Sequence, residues 1–186
     1  MSKKFKKLCL QYSYLKMEEE ETQNICASMD KDMQSHIEEN YPDHYKTIYH
    51  FMPNGQPVVL ISEEEPQENK EEANKNKDLK NLYREIAKKT HPDKKNSNSE
   101  LFKESACAYA DNDMGKMIQI ATEANVNVSD DVSSETTDLL EENIATIHER
   151  IKSYKETASW AWHNTKNERD KEVIIINILH HLGAIL

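Results

Sequence analysis

Apolar side chains recur along this chain at helical spacing, in blocks separated by polar stretches. Phe5, Leu8, Tyr12 and Leu15, then Thr22, Ile25, Met29, Met33 and Ile37, follow steps of three and four. They predict a helix over 3–39 whose stripe is interrupted at Glu18–Glu21. Pro42 argues against continuing that helix through Tyr41. Residues 47–52 and 58–61 are β-prone and flank Pro53-Asn54-Gly55-Gln56. Asn-Gly between such runs predicts a small β-hairpin, which must pack on a helix to persist. Residues 62–76 hold almost nothing that could be buried and read as a linker.

Two or three short helices are expected next. Leu79, Leu82, Tyr83, Ile86 and Thr90 line one face of the first, which should end before Pro92. Ser99 can cap the second, with Leu101, Phe102, Ser105, Ala106 and Tyr109 as its apolar stripe. Lys116–Glu123 is the third. Residues 125–135 form another loop, from which Ser133 or Ser134 can cap the following helix. Over 136–162, Leu140, Ile144, Ile147, Ile151, Tyr154, Ala158 and Ala161 repeat four-three-four-three-four-three, an a/d seam. A turn at 163–167 leads to an apolar helix over 169–183, so 136–186 reads as an antiparallel helical hairpin.

The fold expected is therefore mainly α: a short helical pair, flanked by a long N-terminal helix with a small β-hairpin and by the C-terminal helical hairpin. The linear division is 1–61, an acidic linker at 62–76, a helical segment at 77–124, a second linker at 125–135, and 136–186. Hydrophobic residues make up 37% of the chain and charged ones 31%, with a mean hydropathy of −0.89. Such a polar chain favours helices that each bury one stripe over a large single core. Cys9, Cys26 and Cys107 are odd in number and far apart, without a CxxC pair. That pattern fits a reducing compartment without a disulfide framework or structural zinc, and a cytoplasmic location is expected. No run of about 18 apolar residues is present, so no membrane span is expected. The basic start, Lys3-Lys4-Phe5-Lys6-Lys7, is followed by a stretch too short and polar for a signal peptide.

Charge is where the picture sharpens. The chain carries a net −10, which argues against a nucleic-acid binder. Yet residues 77–95 hold seven Lys/Arg and three Asp/Glu, a local +4. Lys80, Arg84 and Lys88 stand at i, i+4 and i+8 on one helix face, with Lys89 beside them. Such a patch steers association with an acidic partner. Just before it, residues 63–76 hold six Glu and two Lys, a net −4 that could fold over the basic face.

The basic helix runs into His91-Pro92-Asp93. This tripeptide directly follows Tyr83-Arg84-x-x-Ala87-x-x-x-His91, and Phe102-Lys103-Glu104 and Ala108-Tyr109 come after it at suitable spacing. In this register the segment resembles the J-domain family of DnaJ-like co-chaperones, over about residues 79–109. With its C-terminal hairpin and Trp160-x-Trp162, the chain is also similar to a group of uncharacterised viral and bacterial J-like proteins; scarce Gly with abundant Lys, Asn and Ile fits an AT-rich, viral genome and a host-cytoplasm setting. The resemblance implies a non-enzymatic partner of a DnaK-type chaperone ATPase, with a client of unknown identity. His91 and Asp93 would engage the ATPase and promote hydrolysis there, Pro92 would fix their presentation, and Lys80, Arg84, Lys88 and Lys89 would form the docking face. Leu82, Tyr83, Ile86, Phe102 and Tyr109 would be core.

Two family features are missing. No short helix with Tyr-x-x-Leu-Gly precedes Leu79, and no Asp-Pro follows the second helix of the pair; Met117, Ile118 and Ala121 could supply the packing surface instead. A structural coiled-coil protein with a relic J-fold is the competing expectation, with the isoleucine-rich tail or the C-terminal hairpin as a surface for the N-terminal helix or for self-association. In that case charges at Ile147 or Ile151 would abolish assembly. The remaining histidines form no ligand constellation, and neither paired catalytic carboxylates, a nucleophile motif nor a glycine-rich phosphate loop occurs. No enzymatic activity, metal or cofactor is expected.

Overall fold

The computed structural model describes residues 2–48, 76–93, 98–128 and 132–183. The protein is mainly helical. Among the described residues the helices are α1 (Lys3–Asn40), α2 (Pro42–Ile48), α3 (Lys77–Thr90), α4 (Ser99–Ala110), α5 (Met114–Glu123), α6 (Ser134–Lys155), α7 (Ala158–Asn164) and α8 (Glu168–His181). The expected β-hairpin needs correction at its start: Thr47 and Ile48 close α2 and do not open a strand. Pro42 starts that helix because a first helical position needs no N–H and Pro already holds the right φ. The rest of the hairpin, and the acidic linker through residue 75, lie outside the described residues.

The helices group into two compact units, Met1–Glu19 with Lys70–Arg150, and Glu20–Asn69 with Ile151–Leu186. Each unit is assembled from two separated stretches, whereas the linear reading runs in consecutive segments.

In the first unit the stripes are buried as their spacing dictates. Phe5, Leu8, Tyr12 and Leu15 of α1, Leu79, Leu82 and Ile86 of α3, and Leu140, Ile144 and Ile147 of α6 are buried. Helix α5 packs on both α3 and α4, and Met117, Ile118 and Ala121 are buried there, so α5 provides the packing surface expected of it. Ile147 is buried within this chain, and the α6 seam is filled here. The stripe of α1 is not broken at Glu18–Glu21. Glu19 occupies the next seam position, only 9% exposed, with its carboxylate 2.6 Å from Arg150 and 2.9 Å from Lys16. Two cations let a carboxylate sit at a position that the pattern reserves for an apolar residue.

Two asparagines end helices where glycine is usual. Asn112 and Asn125 have φ of 55° and 53°, the left-handed region that Asn tolerates better than most residues. After α4, Asp113 N–H donates to Ala108 O at 2.9 Å; after α5, Val126 N–H donates to Ala121 O at 2.7 Å. Both are Schellman closures. Asp113 then caps α5, accepting from Lys116 N–H at 2.9 Å, and its other oxygen accepts from the Tyr12 hydroxyl at 2.8 Å. Burial, then the neighbouring Asp113 carboxylate, push the Tyr12 phenol well above its ordinary range.

In the second unit, Met33, Ile37, Tyr45, Trp162, Ile175 and Leu179 form one core cluster. The isoleucine-rich tail thus meets the N-terminal helix, one of the two outcomes expected for it. The helix expected over 136–162 is split. Thr157 has extended backbone angles and caps α7, its hydroxyl accepting from Trp160 N–H at 3.3 Å. That hydroxyl also donates to Tyr154 O at 2.7 Å, and such side-chain bonds compete with helix continuation. The a/d spacing holds through Ile151, but Ala161 is exposed. Trp162 is buried and Trp160 half-buried under Lys155, whose Nζ lies 5.7 Å from the ring centre.

Candidate functional site: a basic helix ending in His-Pro-Asp

Helix α3 is fixed at both ends by polar side chains. Asn76 caps it, its Oδ1 accepting from Asp78 N–H at 2.9 Å and Leu79 N–H at 3.1 Å. The Asp78 carboxylate accepts from Thr136 at 2.7 Å and from the Ser133 hydroxyl at 2.9 Å. Burial raises its pKa, but the hydrogen bonds from Thr136 and Ser133 outweigh this and hold the group below its ordinary value. Ser133 also caps α6, accepting from Thr136 N–H at 3.2 Å. At the far end, Thr90 is buried and its hydroxyl donates to Ile86 O at 2.9 Å.

His91 closes α3, donating its N–H to Ala87 O at 3.0 Å. Its φ of −57° and ψ of 133° are the extended values that a following proline imposes, so Pro92 turns the chain off the helix at this residue. The imidazole is half-buried, edge-on to Phe102 of α4 at 5.2 Å and 72°. Asp93 points outward, its side chain 88% exposed. His91 Nδ1 lies 3.3 Å from Asp93 N–H and 3.4 Å from the Asp93 carboxylate. The neutral ring can accept from the former, whereas only a protonated Nδ1 can donate to the latter. The pair thus presents one imidazole and one carboxylate side by side at the end of a cationic helix.

Lys80, Arg84, Lys88 and Lys89 are all exposed, but they are not equivalent. Lys88 pairs with Glu85. Lys89 donates to the carbonyl of Asn125 while staying exposed, beside the row formed by Lys80, Arg84 and Lys88. Lys94 and Lys95 lie outside the described residues. Behind the row, Leu82 and Ile86 are buried. Tyr83, Phe102 and Tyr109, expected in the core, are half-buried. Tyr83 stacks on Tyr109 with ring centres 4.7 Å apart, which ties α3 to α4.

Sequence reasoning missed the Phe102 ring as the wall behind His91 and the Asn125 carbonyl as the holder of Lys89. Phe102 lies on the following helix, and Asn125 is remote from Lys89 in the chain. The only local signal was Asn125 itself, a residue suited to a helix end. Among the described residues no group of three or more His, Cys, Asp or Glu could hold a metal ion, and no helix is long and apolar enough to cross a membrane. No family model, curated protein or solved structure matches the chain.

Proposed function

We propose that this protein is a J-domain-like co-chaperone or adaptor that docks α3 and His91-Pro92-Asp93 on a DnaK-type chaperone ATPase. The observation that carries this reading is the exposed Asp93 carboxylate beside the His91 imidazole, directly after a helix whose Lys80, Arg84 and Lys88 face water. The ATPase would meet the cationic row with an acidic surface, the long-range attraction orienting the encounter. His91 and Asp93 would then act as the switch residues, with Pro92 fixing their direction. Phe5 and Tyr12 of α1, together with α5, stand in for the first helix that the J-domain pattern lacks. The chain would supply no catalytic residue of its own; hydrolysis belongs to the partner.

Steady-state ATPase of a DnaK-type chaperone, with and without the protein, tests the proposal. The wild type should stimulate hydrolysis, Asp93→Asn should abolish stimulation, and Arg84→Glu should weaken it most at low salt. Absence of stimulation by the wild type removes the co-chaperone claim.

A structural role with a relic J-like segment is the second reading, and the bond from Lys89 to Asn125 favours it, since one of the four cations is then engaged by the chain's own backbone. Under that reading His91→Gln leaves function intact. Under the first it does not.

A further inference from the structure

Helix α1 carries two stripes. One holds Phe5, Leu8, Tyr12, Leu15 and Glu19 and is buried. On nearly the opposite side, Lys3, Lys7, Leu10, Tyr14, Met17 and Glu21 follow steps of four, three, four, three and four. All six are exposed, and the three apolar ones strongly so: Leu10 73%, Tyr14 61% and Met17 63%. Three large apolar side chains in a continuous row on the outer face of one helix are not scattered exposure; such patches mark interaction surfaces. Beside the row runs a groove of about 410 Å³, lined by Ser13, Gly115, Ile118 and Thr122 among others. It can receive a long side chain from whatever covers the row.

The order of charges along the row says what covers it. The stripe is basic at one end, Lys3 and Lys7, apolar in the middle, and acidic at the other, Glu21. Set against a parallel copy of itself, it would place Lys7 on Lys7 and Glu21 on Glu21. Set against an antiparallel copy, centred on Tyr14, it places Lys7 opposite the partner's acidic end twice over and buries Leu10, Tyr14 and Met17 between the helices. Such a surface is self-complementary about a twofold axis, as an isologous dimer requires, with the charges choosing the orientation as flanking charges do in helix pairs. We infer that the outer face of α1 is the interface of an antiparallel homodimer, two copies of this chain pairing through Leu10, Tyr14 and Met17 with Lys7 and Glu21 as reciprocal ion pairs. This surface is distinct from the basic face of α3, and the inference stands independently of the ATPase reading.

Sedimentation velocity of the full chain over a concentration series tests it. The wild type should show a concentration-dependent dimer, and Tyr14→Arg, which sets two cations against each other at the axis, should leave a monomer. Lys7→Glu alone and Glu21→Lys alone each replace two attractive contacts per dimer with two repulsive ones and should raise the dissociation constant about tenfold. The decisive step is the mixture. Equal amounts of the Lys7→Glu and Glu21→Lys chains regain attractive contacts at both ends and should pair with each other as the wild type pairs with itself; the double variant should also recover. Circular dichroism of each variant should match the wild type, because all three substituted positions are exposed. A wild type that stays monomeric, a dimer indifferent to Tyr14→Arg, or single variants that the mixture fails to rescue would each overturn the inference.

Discussion

Helices α3 and α8 are both 14 residues long, and they solve burial in opposite ways. In α3 Leu79, Leu82, Ile86 and Thr90 turn inward while Lys80, Arg84, Lys88 and Lys89 stay exposed, so the chemistry of its free face is set by the sequence. In α8 apolar residues run through Val173, Ile174, Ile175, Ile176, Ile178 and Leu179, yet only Ile175 and Leu179 are fully buried; Val173 stays 54% exposed and Ile176 42%. Contrast between faces, not apolar content, decides whether a helix's orientation can be read in advance. A helix with such contrast offers a definite surface to a partner, and α3 is the one on which a function can be argued.

The largest effect expected from testing this contrast lies in α8. Leu179→Asp places an unpaired carboxylate in the core of the second unit and should lower stability by more than about 4 kcal/mol. Val173→Asp, two turns away but exposed, should change it by under about 0.5 kcal/mol. Urea denaturation followed by circular dichroism measures both, and equal losses would show that α8 has no inner and outer side. A smaller gap is expected in α3. Ile86→Ala removes a buried side chain and should cost about 2–5 kcal/mol. Arg84→Ala should leave the unfolding midpoint where it is while weakening partner binding, so stability and binding separate on one helix.

The smallest effect is at the start of α3. Because Asp78 is held below its ordinary pKa of 3.8 in the folded protein, its ionised form contributes stability that is fully present above that value. The contribution fades as pH falls from there through the lowered folded value. Asp78→Asn should therefore flatten the acid end of the stability profile while leaving its neutral region lower, since Asn cannot accept from Thr136 and Ser133 as a carboxylate does. An unchanged acid limb in thermal melts between pH 2 and 5 would detach Asp78 from the anchoring of α3.

Much of this was legible because it is local. The stripes of α1, α3, α4 and α5 are periodic, and His91, Pro92 and Asp93 are neighbours in the chain, so their juxtaposition needed no tertiary knowledge. What escaped was non-local or a matter of competing local rules. Glu19 looked like an interruption because Arg150, which neutralises it, is far along the chain. The break at Thr157 lay under an a/d spacing that continues on paper to Ala161, and the Thr157 hydroxyl bonds to Tyr154 O where the helix stops. Pro42 read as a stop when it was also a start. Lys89 is exposed, but nothing nearby announced its bond to the Asn125 carbonyl.

Gly115 lies in the first turn of α5, where alanine would serve a helix better by about 1 kcal/mol. A methyl group there would stand 2.3 Å from the Tyr12 ring, so the ring would have to move. Its hydroxyl would then let go of Asp113, the residue that caps this same helix. One added carbon would thus unfasten the helix it was meant to favour, and the spacing between two segments a hundred residues apart is set by a side chain that is not there.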